Sequence, residues 1–160
     1  MKILFITNIP SPYRVDFFNE LGKSCHLTVA FERRAAKDRN RNWKSDEFCN
    51  FEAIFLRGIE IGTDASISYQ IIPIIRRGYD IVILNGYASP TYAIAMEYMK
   101  MNSIPFLLNA DGGFIKKDKR VVYRLKRHLI GMPEAWLSTG RMTDDYLVHY
   151  GADRQNIYRY

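Results

Sequence analysis

Three polar segments of this sequence each follow an apolar run, and they hold the side chains best suited to binding or chemistry. They are residues 8–14, 85–90 and 109–114. Loops at the carboxyl ends of parallel strands meet at one edge of a sheet, so we expect these segments to form one cleft. Besides an aspartate at position 111, the candidate binding residues are Asn8, Tyr13, Arg14, Asn85, Gly86, Tyr87, Gly112 and Gly113.

Asp111 is the strongest candidate for a catalytic role. It precedes Gly112 and Gly113, which allow the backbone to turn tightly and to approach a ligand closely. A carboxylate at this position would face the cleft, where it could bind a ligand or orient a ligand hydroxyl rather than act as a base. The alternative is an aspartate that only supports its own glycine turn.

The other candidates also have ordinary structural interpretations. Arg14 can bind a phosphate or carboxylate through two parallel hydrogen bonds, or it can pair with Asp16 or cap a strand end. Asn85 and Gly86 form a common turn sequence. Thr139 lies just before a predicted helix, so it either reaches the cleft or belongs to the helix cap.

Alternating apolar runs and helical segments predict the fold that positions these residues. The pattern indicates one α/β domain over residues 1–160, with a Rossmann-like parallel sheet of six or seven strands and helices on both faces. The runs with strand character are Lys2–Thr7, residues 27–31, 51–56, 79–84, 104–108 and 135–138, and a last one that begins at residue 156. The helical segments are residues 12–21, 65–77, 90–100, 118–130 and 143–150.

Local signals predict how some of these helices begin. Ser11 is the expected N-cap of the first helix, with Pro12 at its first position. Pro73 should kink the helix over residues 65–77 or mark its true start. Asp118 is the expected N-cap of the fourth helix.

Several motif classes are absent from the sequence. No G-x-G-x-x-G follows the first strand, and there is no P-loop and no G-x-S-x-G element. The two cysteines and three histidines lack the spacing of a zinc site, so we predict no metal. These absences argue against dinucleotide binding, P-loop nucleotide hydrolysis and serine-hydrolase chemistry.

The net charge of +6 is concentrated in two segments. Residues 33–44 contain six Lys or Arg and one Asp, and residues 116–128 contain seven and one. Such patches suit phosphate, nucleic acid or anionic lipid. Residues 33–47 lack clear periodicity and are predicted to form a mobile loop with at most one short helix.

Residues 119–130 predict an amphipathic helix. Val121, Val122, Leu125 and Leu129 gather on one face, which we expect to dock on the sheet while the charges point outward. Nearly all the charges are positive, which favours contact with an anionic membrane surface over a merely solvated face. The membrane-binding candidates are Lys116, Lys117, Lys119, Arg120, Arg124, Lys126 and Arg127.

A nucleic-acid-binding module is the alternative function for this charge. It predicts aromatic residues interleaved with the basic ones, but residues 116–128 contain only Tyr123. We therefore expect no nucleic-acid partner. No apolar run approaches the ~20 residues of a spanning helix, so we expect a cytoplasmic protein that is peripheral on the inner face of the cell membrane.

Four segments resemble the N-terminal domain of family 4 glycosyltransferases, which have the GT-B fold, and in particular those of bacterial polysaccharide and lipopolysaccharide synthesis. They are residues 2–21 (KILFITNIPSPYRVDFFNEL), 79–87 (YDIVILNGY), 105–114 (PFLLNADGGF) and 135–158 (AWLSTGRMTDDYLVHYGADRQNIY). The last is the most specific, and together they cover nearly the whole chain.

The resemblance implies an acceptor-side domain of a retaining hexosyltransferase. In such enzymes a C-terminal domain with an E-x7-E element, which this sequence lacks, would make most of the contacts to the UDP- or GDP-sugar donor. The domain formed by residues 1–160 would then need no cofactor of its own, and it would be inactive alone. The acceptor would be a glycan or a polyprenyl-linked sugar. Asp111 matches a position beside the transferred sugar, Tyr13 would stack on a sugar face, and Thr139 would lie near the interdomain cleft.

Overall fold

A computed structural model describes residues 1–34, 48–62 and 65–160. Residues 35–47 of the predicted loop over residues 33–47, and with them most of the basic segment 33–44, lie outside the described residues. The strands are β1 (Lys2–Thr7), β2 (His26–Phe31), β3 (Glu52–Phe55), β4 (Ile59–Ile61), β5 (Ala65–Ile67), β6 (Ile81–Asn85), β7 (Leu107–Ala110), β8 (Ala135–Ser138) and β9 (Ile157–Arg159). The α-helices are α1 (Pro12–Leu21), α2 (Ile71–Ile75), α3 (Pro90–Met101), α4 (Arg120–Ile130) and α5 (Arg141–His149).

Seven of these strands form one parallel sheet in the order β3-β2-β1-β6-β7-β8-β9. This confirms the predicted α/β class. The chain builds outward from β1 to β2 and β3 on one side, and from β6 to β9 on the other. The strand order therefore reverses between β1 and β6, where ligands bind in open sheets of this type.

Helices cover both faces of the sheet, as predicted. One face carries Leu4, Ile6 and Leu84 and packs against α2, α3 and α5. The opposite face carries Phe5 and packs against Phe18 of α1, with ring centres 4.9 Å apart. The core thus fixes the strand ends from which the polar loops project.

The prediction of a helix over residues 65–77 is wrong for its first half. Ala65–Ile67 is strand β5, paired antiparallel with β4, and only Ile71–Ile75 is helical. The Thr91 hydroxyl donates to the Ser66 carbonyl at 2.7 Å, and these contacts with α3 hold the segment extended. Pro73 falls in the first turn of α2, where a missing N–H is tolerated.

The prediction that Asp118 is the N-cap of α4 is wrong. The helix begins at Arg120, with Lys119 in the cap position. The Asp118 carboxylate instead accepts hydrogen bonds from the Tyr150 hydroxyl and pairs with Lys126 Nζ at 2.9 Å. These two partners lower the pKa of Asp118 below its usual value.

The expectation that the apolar face of α4 docks on the sheet is also wrong. Val121 is 77% exposed and Leu125 is 56% exposed, whereas Leu129 and Ile130 are buried. The fully buried residues of the helix are thus confined to its last turn, although Tyr123 also packs against the core. The first two turns present both basic and apolar side chains to solvent. Across the described residues, none of the helices is long and apolar enough to cross a membrane.

Candidate active site

A cleft of about 440 Å³ lies at the point where the strand order reverses. All three predicted polar loops contribute to its wall, together with the ends of β1, β6 and β7. The ligand-binding role of each residue stays a prediction. The predicted residues that line the cleft are Asn8, Tyr13, Arg14, Asn85, Gly86, Tyr87, Asp111, Gly112 and Gly113.

Thr139 is the predicted cleft residue that does not line this space. Its hydroxyl lies 3.2 Å from the Thr143 hydroxyl at the start of α5. The structure therefore favours the local, helix-end interpretation of this residue.

Side-chain amides and a hydroxyl connect the central strands beneath the cleft. Asn109 Nδ2 donates to Asn85 Oδ1 at 2.7 Å, and Asn85 Nδ2 donates to Thr7 Oγ1 at 3.4 Å. Arg14 Nη1 donates to the same Thr7 oxygen at 3.0 Å. Asn109 Oδ1 is buried without a hydrogen-bond partner. These hydrogen-bonded side chains thus position Arg14, and Asn109 Oδ1 remains as an acceptor for a ligand.

Tyr13 and Arg14 form a pair at the rim. Arg14 Nε donates to the Tyr13 hydroxyl at 3.1 Å. Burial raises the pKa of that hydroxyl, but the hydrogen bond from Arg14 and the charge of Arg14 oppose burial, and the pKa lies below its usual value. Among the described residues, no ion pair joins Arg14 to Asp16, which was the structural alternative for this arginine.

Asp111 follows the end of β7 and is exposed to the cleft. Within the described part of the chain, its side chain forms no hydrogen bond that would support the glycine turn. The same residue also borders a second, mainly apolar groove of about 400 Å³, lined by Phe5, Phe17, Leu137 and Tyr160. The carboxylate therefore stands between a polar cleft and an apolar groove.

Gly113 fits closely against the wall of the cleft. Its φ is 152°, and a Cβ at this position would lie 2.6 Å from the ring of Tyr146. The Tyr146 hydroxyl in turn hydrogen-bonds to the Tyr87 hydroxyl. Burial, followed by the contact with Tyr146, raises the pKa of Tyr87. The loop after β7 therefore packs directly on Tyr146, which is held in place by its hydrogen bond with Tyr87.

We expect Gly113→Ala to lower the free energy of unfolding by about 2 kcal/mol, because the new methyl group overlaps an aromatic ring. Gly112→Ala is the matched control, since Gly112 has φ of 89° but no atom within 4 Å of the added Cβ. Its cost is backbone strain alone, about 1 kcal/mol. Urea unfolding measures both. Equal losses in the two variants would contradict the packing argument.

Sequence reasoning missed Glu32, which also lines the cleft. Glu32 directly follows β2 and is only 3% exposed. The available signal was an acidic residue immediately after an apolar run, the position from which the other candidates were chosen. Tyr92 of α3, 4% exposed, was missed as well and lines the same space. Among the described residues, no group of three or more His, Cys, Asp or Glu could hold a metal ion.

A parallel sheet with a polar cleft at its switch point defines a Rossmann-like, doubly-wound α/β domain. No protein-family model matches the sequence, and no curated protein matches it significantly.

Solved structures match the fold. HepE from Anabaena, in complex with UDP or with UDP-glucose, aligns with 99% of this chain at TM-scores of 0.65 and 0.66 and 10% identity. The UDP-GlcNAc 2-epimerase from Neisseria meningitidis, bound to UDP-GlcNAc, aligns with 99% of the chain at a TM-score of 0.57 and 13% identity. This chain spans 43% and 45% of those two proteins, which is less than half of each.

Proposed function

We propose that this chain is the acceptor-side, N-terminal domain of a retaining hexosyltransferase that uses a sugar nucleotide. The observation that carries the proposal is the exposed carboxylate of Asp111 on a glycine loop, at the switch point of a fold shared with proteins solved with UDP-sugars. Amides, hydroxyls and a carboxylate suit a polyhydroxylated ligand. The substrate of this cleft is then the acceptor glycan, and Asp111 orients its attacking hydroxyl.

The charge of the cleft supports this division of labour. Arg14 is the only cationic side chain that lines it within the described residues, and Arg14 is already bonded to Thr7 and Tyr13. The diphosphate of a sugar nucleotide needs more hydrogen-bond donors than Arg14 alone can supply. Most of the contacts to the UDP- or GDP-sugar would then come from a C-terminal domain, consistent with the larger size of the structural neighbours.

Calorimetry of the 160-residue chain with UDP-glucose, UDP-GlcNAc and GDP-mannose should give no saturable binding at micromolar concentrations. The physical reason is the missing phosphate cradle. The control is the enzyme with both domains, which should bind its own donor under the same conditions. Micromolar affinity for the isolated chain would contradict the proposal that the donor binds mainly elsewhere.

The apolar groove beside Asp111 suits a lipid-linked acceptor. Phe5, Phe17 and Leu137 offer it a hydrocarbon surface directly next to the polar cleft. A polyprenyl chain would lie along the groove while its sugar occupies the cleft. Such acceptors belong to the synthesis of cell-surface polysaccharide or lipopolysaccharide.

We also propose peripheral association with the anionic inner face of the cell membrane through residues 116–127. The exposed Val121, Val122 and Leu125 add an apolar face to the basic one, and together they suit a helix that lies in the membrane interface. The nucleic-acid alternative loses support because Tyr123 is not available for stacking. Its ring packs against His149 and Tyr150, at 5.6 and 5.5 Å between ring centres.

A further inference from the structure

The wall of the polar cleft contains a buried carboxyl group, that of Glu32, which has no role in the proposed function. Glu32 Oε1 accepts a hydrogen bond from Ser66 Oγ at 3.3 Å and another from Ser89 Oγ. Glu32 Oε2 is buried and has no hydrogen-bond partner. Among the residues that the structure describes, no cation forms an ion pair with it.

A second polar atom in the same wall also lacks a partner. The Tyr92 hydroxyl is buried and forms no hydrogen bond. Its ring lies beneath the loop after β6, since a Cβ on Gly86 would be 3.6 Å from Tyr92 Cε2. Burial raises the pKa of Tyr92, and the charge of Glu32 is the next cause, so the two groups share one electrostatic environment.

The backbone holds Glu32 firmly at this place. Its N–H donates to the Thr7 carbonyl at 2.9 Å, and the following Arg33 N–H donates to the Asn8 carbonyl at 3.0 Å. Arg33 Nη2 also donates to Asn8 Oδ1 at 3.0 Å. The carboxyl group is thereby fixed beside the first cleft loop.

Buried polar groups are almost always hydrogen-bonded, so two unpartnered groups in one cleft wall are suited to share a ligand that partners both. One group is an acceptor and the other is a donor, which is the pair that a sugar hydroxyl can satisfy. Burial raises the pKa of Glu32 because the charged form loses hydration, while the hydrogen bonds from Ser89 and Ser66 oppose the shift. A hydrogen bond donated by a ligand hydroxyl would further stabilise the ionised form of Glu32.

We propose that Glu32 and Tyr92 form a subsite that binds a hydroxyl group of the acceptor sugar, with the hydroxyl donating to Glu32 Oε2 and accepting from Tyr92. This inference rests on the proposed function, since it assigns the polar cleft to the acceptor. It makes Glu32 a residue that determines which acceptor is bound. A site built to hydrogen-bond a hydroxyl rejects the analogue that lacks it.

The experiment is an NMR titration of the ¹⁵N-labelled 160-residue chain with methyl glycosides. The panel is methyl α-glucoside, methyl α-galactoside, methyl α-mannoside and methyl N-acetylglucosaminide, each up to tens of millimolar. We expect at least one of them to shift the amide signals of Asn8, Glu32 and Asn85 saturably. Saturable shifts confined to another part of the chain, or none with any glycoside, would overturn the proposal.

Two conservative variants locate the subsite. Tyr92→Phe removes only the unpartnered hydroxyl and should weaken binding about three- to tenfold without lowering the urea midpoint of unfolding. Glu32→Gln keeps the shape and an acceptor oxygen but loses the charge, and should weaken binding about tenfold or more. Tyr98→Phe, on the same helix but outside the cleft, is the control and should bind like the wild type. Wild-type affinity in both Tyr92→Phe and Glu32→Gln would overturn the proposal.

Monodeoxy glycosides identify the bound hydroxyl. For one position on the sugar, deoxygenation should weaken binding to the wild type about tenfold but have little further effect on Glu32→Gln. Additive losses at every position would overturn the proposal. Sugar transfer by the two-domain enzyme is a separate measurement. Absent transfer with intact glycoside binding would refute the proposed function alone, whereas transfer without binding at Glu32 would refute this subsite alone.

Discussion

If the proposed function holds, replacing Asp111 with asparagine in the proposed two-domain enzyme is expected to lower turnover by about 10²-fold or more while the fold persists. The carboxylate is exposed at the end of β7 and lies where the polar cleft meets the apolar groove. Asparagine keeps the size of the side chain but removes the charge that would orient an attacking hydroxyl and stabilise charge in the transition state. No described residue depends on Asp111 for a hydrogen bond, so stability should not change.

Steady-state rates with the natural sugar nucleotide and acceptor measure this effect, with urea unfolding as the check on the fold. Asp16→Asn is the matched control, because Asp16 is an exposed carboxylate on α1 that lines neither the cleft nor the groove. Its turnover should equal that of the wild type. Unchanged kinetics in Asp111→Asn would return this residue to a turn-forming role. A product in which the donor sugar is epimerised and not transferred would refute the reaction type.

Neutralising four cations of the α4 region should reduce binding to anionic vesicles by about 10³-fold. Each Lys or Arg near an anionic surface contributes about 1 kcal/mol, so four contribute about 4 kcal/mol. The substitutions are Lys116→Gln, Lys117→Gln, Arg120→Gln and Arg124→Gln. Lys126 is left unchanged because it pairs with Asp118.

Co-sedimentation with phosphatidylserine-containing and with neutral vesicles, at low and high salt, measures the binding. The charge-matched control neutralises four exposed cations elsewhere, Lys23, Arg57, Arg76 and Lys100, and should bind like the wild type. Leu125→Gln tests the apolar face separately and should weaken binding at both salt concentrations. Equal wild-type binding to neutral and anionic vesicles, or equal loss in the charge-matched control, would show that this helix has no specific membrane role.

The amphipathic pattern of α4 illustrates how a correct local prediction can carry a wrong tertiary one. The spacing of Val121, Leu125 and Leu129 predicted a helix with one apolar face, and the helix forms. The assumption that this face docks on the sheet fails because Val121, Val122 and Leu125 stay exposed and only Leu129 of the predicted face is buried. Periodicity specifies which residues share a face, but it does not specify what covers that face.

Ser66 shows the opposite case, in which distant contacts override a local pattern. The isoleucines at positions 67, 71, 74 and 75 suggested one long helix. The Ser89 and Thr91 hydroxyls both lie within hydrogen-bond distance of the Ser66 carbonyl, and both residues are more than 20 positions away in the sequence. An extended β5 satisfies these groups, which a helical segment would leave buried and unpaired.

The sequence by itself determined the strands of the parallel sheet and the loops that follow β1, β6 and β7. Continuous apolar runs and turn residues act over short distances, so their effect can be derived from neighbours in the chain. Only the tertiary structure decided which polar side chains remain without a partner at the cleft. Glu32 and Tyr92 lie 60 positions apart, and neither differs locally from an ordinary strand-end acid or helix tyrosine. Their shared environment exists because folding brings the carboxyl end of β2 and the start of α3 together at the cleft.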